Sequence, residues 1–418
     1  MQDARLTYNK RISCPRDVGN QAGAPLSREV LAYVFERFPK FSQTFCYREI
    51  AELFRQGTRP AIFSLRGPDS GPETTWDRAI ISTVHQLPEG NAFARLADEA
   101  AIGLPKPMRR ILHEWRGKPD SLRLHQATYI GTHLQKLGVQ HVHTHFAGMA
   151  ARTAFWIKKF FGIDYSVTVH ANDIFVPANF EIGLSEILSS ASAVIAVSDF
   201  AADQLRERFP ENAGRVHRIY NGIDCAQFKP AQFEPPPLIL SIGRLISKKG
   251  FDVLIDACAL LRQRGHGFRC EIIGEGPLVG ELQARIHRQD LREHVHLAGP
   301  KTQAEIAARL SKATVLALPC RIDPDGAMDN LPTVVMEAMA SALPVVSTDI
   351  GGVSEMVRDG ETGLLVAQND AAATADALSR LINDIELAQS FGRKGCERAK
   401  EIFSIEKNVR ALRQIFAM

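Results

Sequence analysis

The chain has 418 residues, of which 45% are hydrophobic and 23% charged, and its formal net charge is +3. These values are typical of a globular protein of two or three domains and argue against a nucleic-acid binder. No apolar run reaches the roughly 18 residues of a membrane-spanning helix, and the scattered cysteines contain no CxxC pair, so neither a disulfide framework nor a zinc site is indicated.

The first 26 residues are polar and contain no apolar stretch like that of a secretory leader. We therefore expect residues 1–26 to be an extension that precedes the fold. Together with the cysteine pattern, this favours a cytoplasmic protein.

Short β-branched runs then alternate with longer amphipathic stretches. The predicted strands of the first half are EVLAYVF, RPAIFSL, VQHVHTH, YSVTV, SAVIAV and RVHRIY. Those of the second half are PLILSIG, FRCEIIG, HVHLAG, ATVLAL and LPVVST. Most are continuously apolar, as in parallel strands that are covered on both faces, and helical segments such as 249–264 and 370–399 separate them.

The stretch FKPAQFEPPP, at residues 228–237, divides the two halves. Its three successive prolines cannot continue a helix or a central strand, so this segment is the predicted linker. We expect an α/β protein in which two doubly wound, Rossmann-like domains face each other across a cleft. Ligands of such sheets bind at the carboxyl ends of the strands.

In the second half, Arg244 and Lys249 follow a predicted strand within SIGRLISKKGFDVL. Two cations at the carboxyl end of a strand suit a diphosphate, although exposed basic residues on a loop are the plainer alternative. The glycine turn GEGPLVG, at 274–280, departs from GxGxxG because its third glycine is one place late. Such a turn would let the backbone approach a flat ligand.

The segment PTVVMEAMASALPVV contains one charged side chain, Glu337. Pro332 suits the first position of a helix with Asn330 as its cap, and the helix is predicted to end near Ala342. The free amides of its first turn suit a phosphate. A buried carboxylate needs partners, and the two hydroxyls of a ribose would provide them. Pairing with a core arginine explains Glu337 equally well from the spacing alone.

Several motifs, taken in order, resemble the family 4 retaining glycosyltransferases of the GT-B fold. The second half carries GRLISKKGFDVLIDA, IIGEGPL, HLAGP and DNLPTVVMEAMASALPVVSTDIGGVSEMVRDGETGLLV. The first half carries FPKFSQTFCYREI, HVHTHFA, TVHANDIF, IAVSDF and RIYNGIDCAQFKP, which resemble the bacterial exopolysaccharide, or colanic-acid-type, branch. The resemblance covers roughly residues 29–410.

The resemblance implies domains at residues 27–228 and 237–400, a linker at 229–236, and a segment 401–418 that crosses back to the first domain. It implies donor contacts at Arg244, Lys249, Gly276, Leu297, Asp329, Leu331, Pro332, Thr333, Val334 and Glu337. It implies acceptor-side contacts at Ser42, Gln43, Thr44 and His145.

Within this set, the resemblance implies that Glu337 holds the nucleotide ribose and that Arg244 and Lys249 hold the diphosphate. Asp329 replaces the usual glutamate as the first acid of an E-x7-E motif and would contact the donor sugar. His170 would face the reacting sugar. Gln43 stands where the family's Ser-Glu-Thr motif has glutamate, so a role that needs that acid is not carried over to this chain.

The expected reaction moves a sugar from a UDP- or GDP-sugar to a glycan or lipid-linked glycan with retention, and needs no cofactor and no metal. The DPD stretch at 323–325 mimics a metal-binding motif, but we interpret it as a loop. His141, His143 and His145 alternate along one strand. A metal site there is conceivable, but a structural role is favoured, with His145 nearest the cleft.

Three alternatives stay open at this point. The chain could be another enzyme of the same fold, namely a nucleotide-sugar epimerase or a phosphorylase, or a nucleotide-sugar binder without activity. RTAFWIKKFFGI, at 152–163, could face an anionic membrane, but a helix with its aromatic side chains on the sheet is the preferred interpretation. Peripheral attachment to the inner face of the cytoplasmic membrane would suit a lipid-linked acceptor.

Overall fold

Each half of the chain builds its own parallel sheet in the computed structural model, which describes residues 31–68, 76–176 and 180–417. The first sheet consists of β1 (Leu31–Arg37), β2 (Ala61–Arg66), β3 (Val84–Gln86), β4 (His141–His145), β5 (Asp164–Val169), β6 (Ala193–Ala196) and β7 (Val216–Arg218). The second consists of β8 (Leu238–Ile242), β9 (Arg269–Ile273), β10 (Val295–Leu297), β11 (Val315–Leu318), β12 (Val345–Thr348) and β13 (Gly363–Val366). The predicted extension, 1–26, lies outside the described residues.

The strand order is β3-β2-β1-β4-β5-β6-β7 in the first sheet and β10-β9-β8-β11-β12-β13 in the second. Every ladder between these strands is parallel. In both sheets the order reverses beside the first strand, which leaves a crevice at the carboxyl ends. The two Rossmann-like domains predicted from the sequence are thus confirmed.

Helices connect the strands and cover both faces of each sheet. In the first half they are α1 (Thr44–Arg55), α2 (Arg78–Ile81), α3 (Gly90–Ile102), α4 (Lys106–Glu114), α5 (Ser121–Leu137), α6 (Met149–Phe161), α7 (Ala171–Phe175), α8 (Leu184–Ser190) and α9 (Asp199–Arg208). In the second half they are α10 (Phe251–Gln263), α11 (Val279–Arg288), α12 (Gln303–Leu310), α13 (Thr333–Ala340), α14 (Val353–Met356), α15 (Ala371–Asn383), α16 (Ile385–Ile402) and α17 (Ile405–Phe416).

The last helix, α17, leaves the second domain and packs on the first. Its Ile405 and Val409 belong to the same buried cluster as Tyr33 of β1, and Leu412 packs against Ile195 of β6. A backbone bridge between Ile223 and Ser404 precedes the helix. Because α17 is amphipathic, burying its apolar face on the first sheet joins the two domains at a second point besides the linker.

The helix α6, which contains the aromatic stretch 152–163, is buried. Phe155, Trp156 and Phe160 are each at most 8% exposed and lie in the core of the first domain. The alternative in which this stretch faces a membrane is therefore wrong, because the same side chains pack inside the fold. None of the described helices is both long and apolar enough to cross a membrane.

Two strands and one helix boundary differ from the sequence expectation. β3 and β13 were not predicted; both are edge strands of three or four residues, and β3 contains a single apolar residue, Val84. The single helical segment expected at 370–399 is two helices, α15 and α16. Asp384 separates them, since its side chain accepts a hydrogen bond from the Leu387 amide and caps α16.

Candidate active site

A cleft of about 1150 Å³ lies between the two domains. Its wall is formed by loops that follow β1, β5, β8, β9 and β11, so both sheets contribute their carboxyl ends. In the first domain these loops present Lys40 to Thr44 and His170. In the second they present Gly243, Arg244 and the segment from Met328 to Val334.

Glu337 lies in the cleft wall on α13 and is 8% exposed. Its Oε1 accepts a hydrogen bond of 2.6 Å from Nη2 of Arg48, which belongs to α1 of the opposite domain. Nη1 of Arg48 is buried and has no partner among the described residues. Glu337 therefore has an arginine partner, as one of the two sequence interpretations required, but that arginine lines the cleft and is not part of its own domain's core.

Asp329 is held between two lysines in the loop before α13. Lys248 Nζ lies 3.2 Å from its Oδ1, and Lys249 forms an ion pair with its Oδ2. Burial by itself raises the pKa of the Asp329 carboxyl, but the ammonium groups of Lys249 and Lys248 outweigh burial and lower that pKa to about 2. The pKa of Lys249 is raised, because Asp329 outweighs its desolvation.

Lys248 was not recognised from the sequence, although it directly precedes Lys249. It donates to the carbonyl of Met328 at 3.0 Å and approaches Oδ1 of Asn172 in the first domain at 3.5 Å. A run of two lysines after a glycine-ended strand was the available signal, but only one of them was assigned to the donor.

Arg244 is exposed in the cleft wall and forms no ion pair with any described residue. Opposite the basic turn, α13 begins at Thr333, and the amides of Thr333 and Val334 precede the first intrahelical bond. A free guanidinium and two free amides thus line one cleft, in an arrangement suited to an anion.

The cap of α13 differs from the expectation. Pro332 is the residue before the helix and not its first residue, and the helix ends at Ala340. Asn330 does not cap it: its Oδ1 accepts a hydrogen bond of 2.9 Å from Ser198 in the first domain. Asn330 lies two residues before the cap position, which Pro332 occupies, and its side chain joins the two domains instead.

Gly276 and Leu297, expected near the nucleotide base, lie outside the cleft wall. Leu297 packs against the core of the second domain. Gly276 approaches the backbone of Leu245, whose carbonyl oxygen would be 2.5 Å from a Cβ at this position. The glycine turn therefore permits close contact between two neighbouring loops, and its Gly274 and Glu275 are the residues that reach the cleft.

On the first-domain side, Ser42, Gln43 and Thr44 lie together in the cleft wall, where a short 3-10 turn runs into α1. Next to them are two aromatic side chains that the sequence did not single out, Tyr47 and Trp76, with ring centroids 4.4 Å apart. The flat faces of such rings suit the apolar face of a sugar.

The histidines form two layers. His170 lines the cleft, and His145 lies behind it, 3% exposed, with its Nδ1 3.3 Å from Nε2 of His170. His143 is bonded to Ser166 and Thr168 through its two ring nitrogens, and His141 is bonded to Ser166. The structural role favoured for His141 and His143 agrees with these contacts.

The DPD stretch forms a tight turn. Oδ1 of Asp325 accepts a hydrogen bond from the Ala327 amide, and the Asp323 amide donates to the carbonyl of Ala327. The carboxylate of Asp325 therefore closes its own loop, which agrees with the interpretation of this stretch as loop sequence.

Two family profiles match this chain. The profile described as "Glycosyltransferase Family 4" matches residues 42–227, and that described as "Glycosyl transferases group 1" matches residues 224–398. Together they extend over both sheets and over the residues of the cleft described above.

Among individual proteins, the chain is similar to the colanic acid biosynthesis glycosyltransferase WcaL. It is 27% identical to that of Salmonella typhimurium over 88% of this chain and 97% of the relative. It is 36% identical to that of Escherichia coli, where the match spans 48% of the relative. It is also similar to the amylovoran biosynthesis glycosyltransferase AmsK of Erwinia amylovora, with 29% identity over 84% of this chain and 90% of that protein.

Solved structures resemble this one along almost the whole chain. A glycosyltransferase from Rickettsia africae superimposes with a TM-score of 0.71 and 19% identity, over 94% of this chain and 98% of that one. Anabaena HepE in complex with UDP superimposes with a TM-score of 0.67 and 16% identity, over 93% of this chain and 99% of that one. At these identities the likeness concerns the fold alone.

Proposed function

Since the chain belongs to the family 4 glycosyltransferases of the GT-B fold, of the colanic-acid type, we propose that it moves a sugar from a nucleoside-diphosphate sugar to a glycan or lipid-linked glycan acceptor. The relatives WcaL and AmsK are named for colanic acid and amylovoran biosynthesis. The corresponding role here is exopolysaccharide biosynthesis.

One observation carries the donor assignment: a single cleft joins the groups that a nucleoside diphosphate needs. Arg244 and Lys249 supply positive charge, the amides at the start of α13 supply donors, and Glu337 supplies an acceptor for ribose hydroxyls. The phosphate would thus lie at the start of α13, near Thr333 and Val334, and the ribose about one turn further along the helix, near Glu337. The orphan Nη1 of Arg48 is a further donor at the same place.

Transfer breaks the anomeric C–O bond, which leaves positive charge on the sugar and negative charge on the diphosphate. Arg244, Lys249 and the amides of Thr333 and Val334 would stabilise that negative charge before it forms, as preorganised donors do. These groups suffice to hold the diphosphate, so we assign no metal to the reaction.

Retention of configuration follows most simply from attack on the same face of the sugar. A double displacement needs a free carboxylate close to the anomeric carbon. Asp329 is engaged by two lysines and Glu337 by Arg48, which supports the same-face route. In that route the leaving phosphate takes the proton of the acceptor hydroxyl, while His170 contacts the sugar.

The acceptor would enter from the first-domain side, along Ser42, Gln43 and Thr44. Tyr47 and Trp76 border the same wall and would stack on a sugar ring of the acceptor. If that acceptor is carried on a lipid, the protein must meet an anionic membrane with a surface other than α6. The exposed Lys106, Arg109 and Arg110 of α4 are suitable cations.

The test is a thermal-shift panel of UDP- and GDP-sugars, followed by product analysis on each donor that binds. Transfer to a polyprenyl-linked saccharide supports the proposal, and the anomeric configuration of the product reports retention. Turnover of the donor without an acceptor indicates an epimerase, phosphorolysis with inorganic phosphate indicates a phosphorylase, and binding without any turnover indicates a non-catalytic binder. Flotation with anionic liposomes at moderate salt tests the membrane contact.

A further inference from the structure

A continuous line of buried or partly buried polar side chains leads from the core of the first domain to the cleft. Tyr33 Oη donates to Oε1 of Glu49 at 2.6 Å, and Nε2 of His145 lies 3.1 Å from the same oxygen. Nδ1 of His145 in turn lies 3.3 Å from Nε2 of His170. The proposed transfer uses His170 but assigns nothing to the three groups behind it.

The chemistry of these groups restricts where the protons lie. A carboxylate only accepts hydrogen bonds, so Nε2 of His145 must carry a hydrogen toward Glu49. If His145 is also protonated at Nδ1, it donates to Nε2 of His170, and neutral His170 then carries its hydrogen on Nδ1. If His145 is neutral, its Nδ1 accepts a hydrogen bond from Nε2 of His170. Neutral His170 then carries no hydrogen on Nδ1, and this nitrogen becomes an acceptor.

The surroundings favour the first arrangement. Burial by itself lowers the pKa of His145, but the contacts with Cys46 and Glu49 outweigh it and raise that pKa. Because burial also raises the pKa of the Cys46 thiol, the contact that favours protonated His145 at neutral pH is the one with the Glu49 carboxylate, 3.1 Å away. Burial and the positive charge of His145 lower the pKa of His170 well below its ordinary value. The other titratable groups around the line are Tyr33 on β1, His143 on β4 and Asp173 on α7.

Nδ1 of His170 is the ring nitrogen that is not in contact with His145. Its ring lines the cleft and packs between Phe45 and Phe146, with ring centroids 4.9 and 4.2 Å away. The protonation state of His145, which lies behind His170, therefore decides whether His170 offers a donor or an acceptor to the cleft.

We propose that Glu49 and His145 are positioning residues that fix His170 as its Nδ1–H tautomer, so that His170 presents a hydrogen-bond donor to an oxygen of the bound sugar. A neutral donor at this point holds the sugar in position through a hydrogen bond to that oxygen and does not itself take a proton. The catalytic part of this inference rests on the proposed function, whereas the tautomer does not.

A metal is the competing explanation of the same cluster. Donor atoms of Glu49, His143 and His145 lie within 4.8 Å of one another. However, both ring nitrogens of His143 are occupied by hydroxyl groups, and His145 uses both of its nitrogens within the line. The hydrogen-bonded arrangement accounts for every group without an ion.

The decisive measurement is the tautomeric state of His170, read from two-bond couplings in NMR spectra of the full-length protein with ¹⁵N-labelled histidine. His170→Gln and His145→Gln identify the two signals. We expect neutral His170 with hydrogen on Nδ1, and charged His145, at neutral pH. His170 with hydrogen on Nε2, or a charged His170, would overturn the proposal whether or not the protein transfers sugar.

Glu49→Gln should shift His170 to the Nε2–H form, because neutral His145 then accepts from it. We expect kcat to fall about tenfold with the KM of the donor nearly unchanged, and Glu49→Asp to recover part of the loss. His141→Gln, on the same strand but outside the line, is the control. An unchanged kcat in Glu49→Gln, or one equivalent of zinc in the purified wild-type protein, would contradict the assignment.

Discussion

Arg48 and Glu337 face each other across the interdomain cleft and form an ion pair of 2.6 Å, although 289 positions separate them in the chain. Their side chains are 13% and 10% exposed. Glu337 is also the residue that would bind the ribose of a donor. The pair therefore joins the two domains through the same carboxylate that the proposed substrate needs.

Replacing Arg48 by methionine should open the cleft in the absence of ligand. The free energy that holds the cleft closed should fall by an amount between the ~1 kcal/mol of an exposed ion pair and the ~3 kcal/mol or more of a buried one. We expect a larger radius of gyration by small-angle X-ray scattering. Arg110→Met, which removes an exposed pair within α4, is the control, and equal radii for the two variants would contradict this role.

Glu337→Ala should reduce kcat/KM more than tenfold, which is about 1.4 kcal/mol or more of transition-state binding. The reason is the loss of the acceptor for the ribose hydroxyls. Initial-rate kinetics with the best donor of the panel provide the measurement. Lys249→Ala should lower kcat/KM at least as much, because it removes a positive charge that would contact the diphosphate. Glu361→Ala, an exposed position, should retain wild-type rates; near-native rates in both test variants would disprove the assigned contacts.

Asp329 should contribute a pH-dependent part of the stability. Its pKa is lowered from 3.8 to about 2 in the folded protein, so the contribution is fully present above the unfolded pKa and is lost as the pH falls through the folded one. The total is about 2 kcal/mol. Asp329→Asn should therefore flatten the decline in unfolding free energy that begins at about pH 5 and continues down to the folded pKa of about 2.

Urea unfolding at several pH values measures this decline, with Asp376→Asn, an exposed pair with Arg264, as the matched control. Parallel declines in wild type and Asp329→Asn would show that the two lysines do not hold the carboxylate in its charged form.

Removing divalent metals should leave transfer intact. Arg244, Lys249 and the helix amides already face the position assigned to the diphosphate, so no cation is needed to neutralise it. Rates measured with excess EDTA should equal those with added Mg²⁺. A loss in EDTA that Mg²⁺ restores would contradict this prediction.

Gln43→Ala should weaken acceptor use and spare the donor. Gln43 lies in the first-domain wall of the cleft, so we expect a several-fold higher KM for the acceptor with an unchanged donor affinity by thermal shift. Gln86→Ala, on the exposed edge strand β3, controls for the substitution itself. Equal changes in donor and acceptor parameters would place Gln43 outside the acceptor site.

The fold was predictable because its signals are local. Eleven of the thirteen strands in the described ranges correspond to predicted runs, and the two exceptions, β3 and β13, are short edge strands. Central parallel strands are apolar on both faces and stand out in the sequence. An edge strand such as Val84–Gln86 has few apolar residues to reveal it.

The candidate site was predictable only in part. Arg244, Lys249 and Glu337 were found because each lies within a recognisable motif. Arg48 was missed although it follows Thr44 by four residues, a spacing that places both on one face of α1. That spacing was the available signal, but it predicts a cleft position for Arg48 only when α1 is known to face the cleft.

The sequence by itself determined the two parallel sheets, the linker between them and the motifs that suit a nucleoside diphosphate, because apolar periodicity and turn chemistry act over a few neighbouring residues. Only the tertiary structure decided which charges meet. Ser198 bonds Asn330 across 132 positions, and Lys249 holds Asp329 across 80. The first pair depends on how the domains dock, and the second on how the loops after β8 and β11 meet within the second domain. Electrostatic and hydrogen-bond energies change over distances that no local pattern specifies.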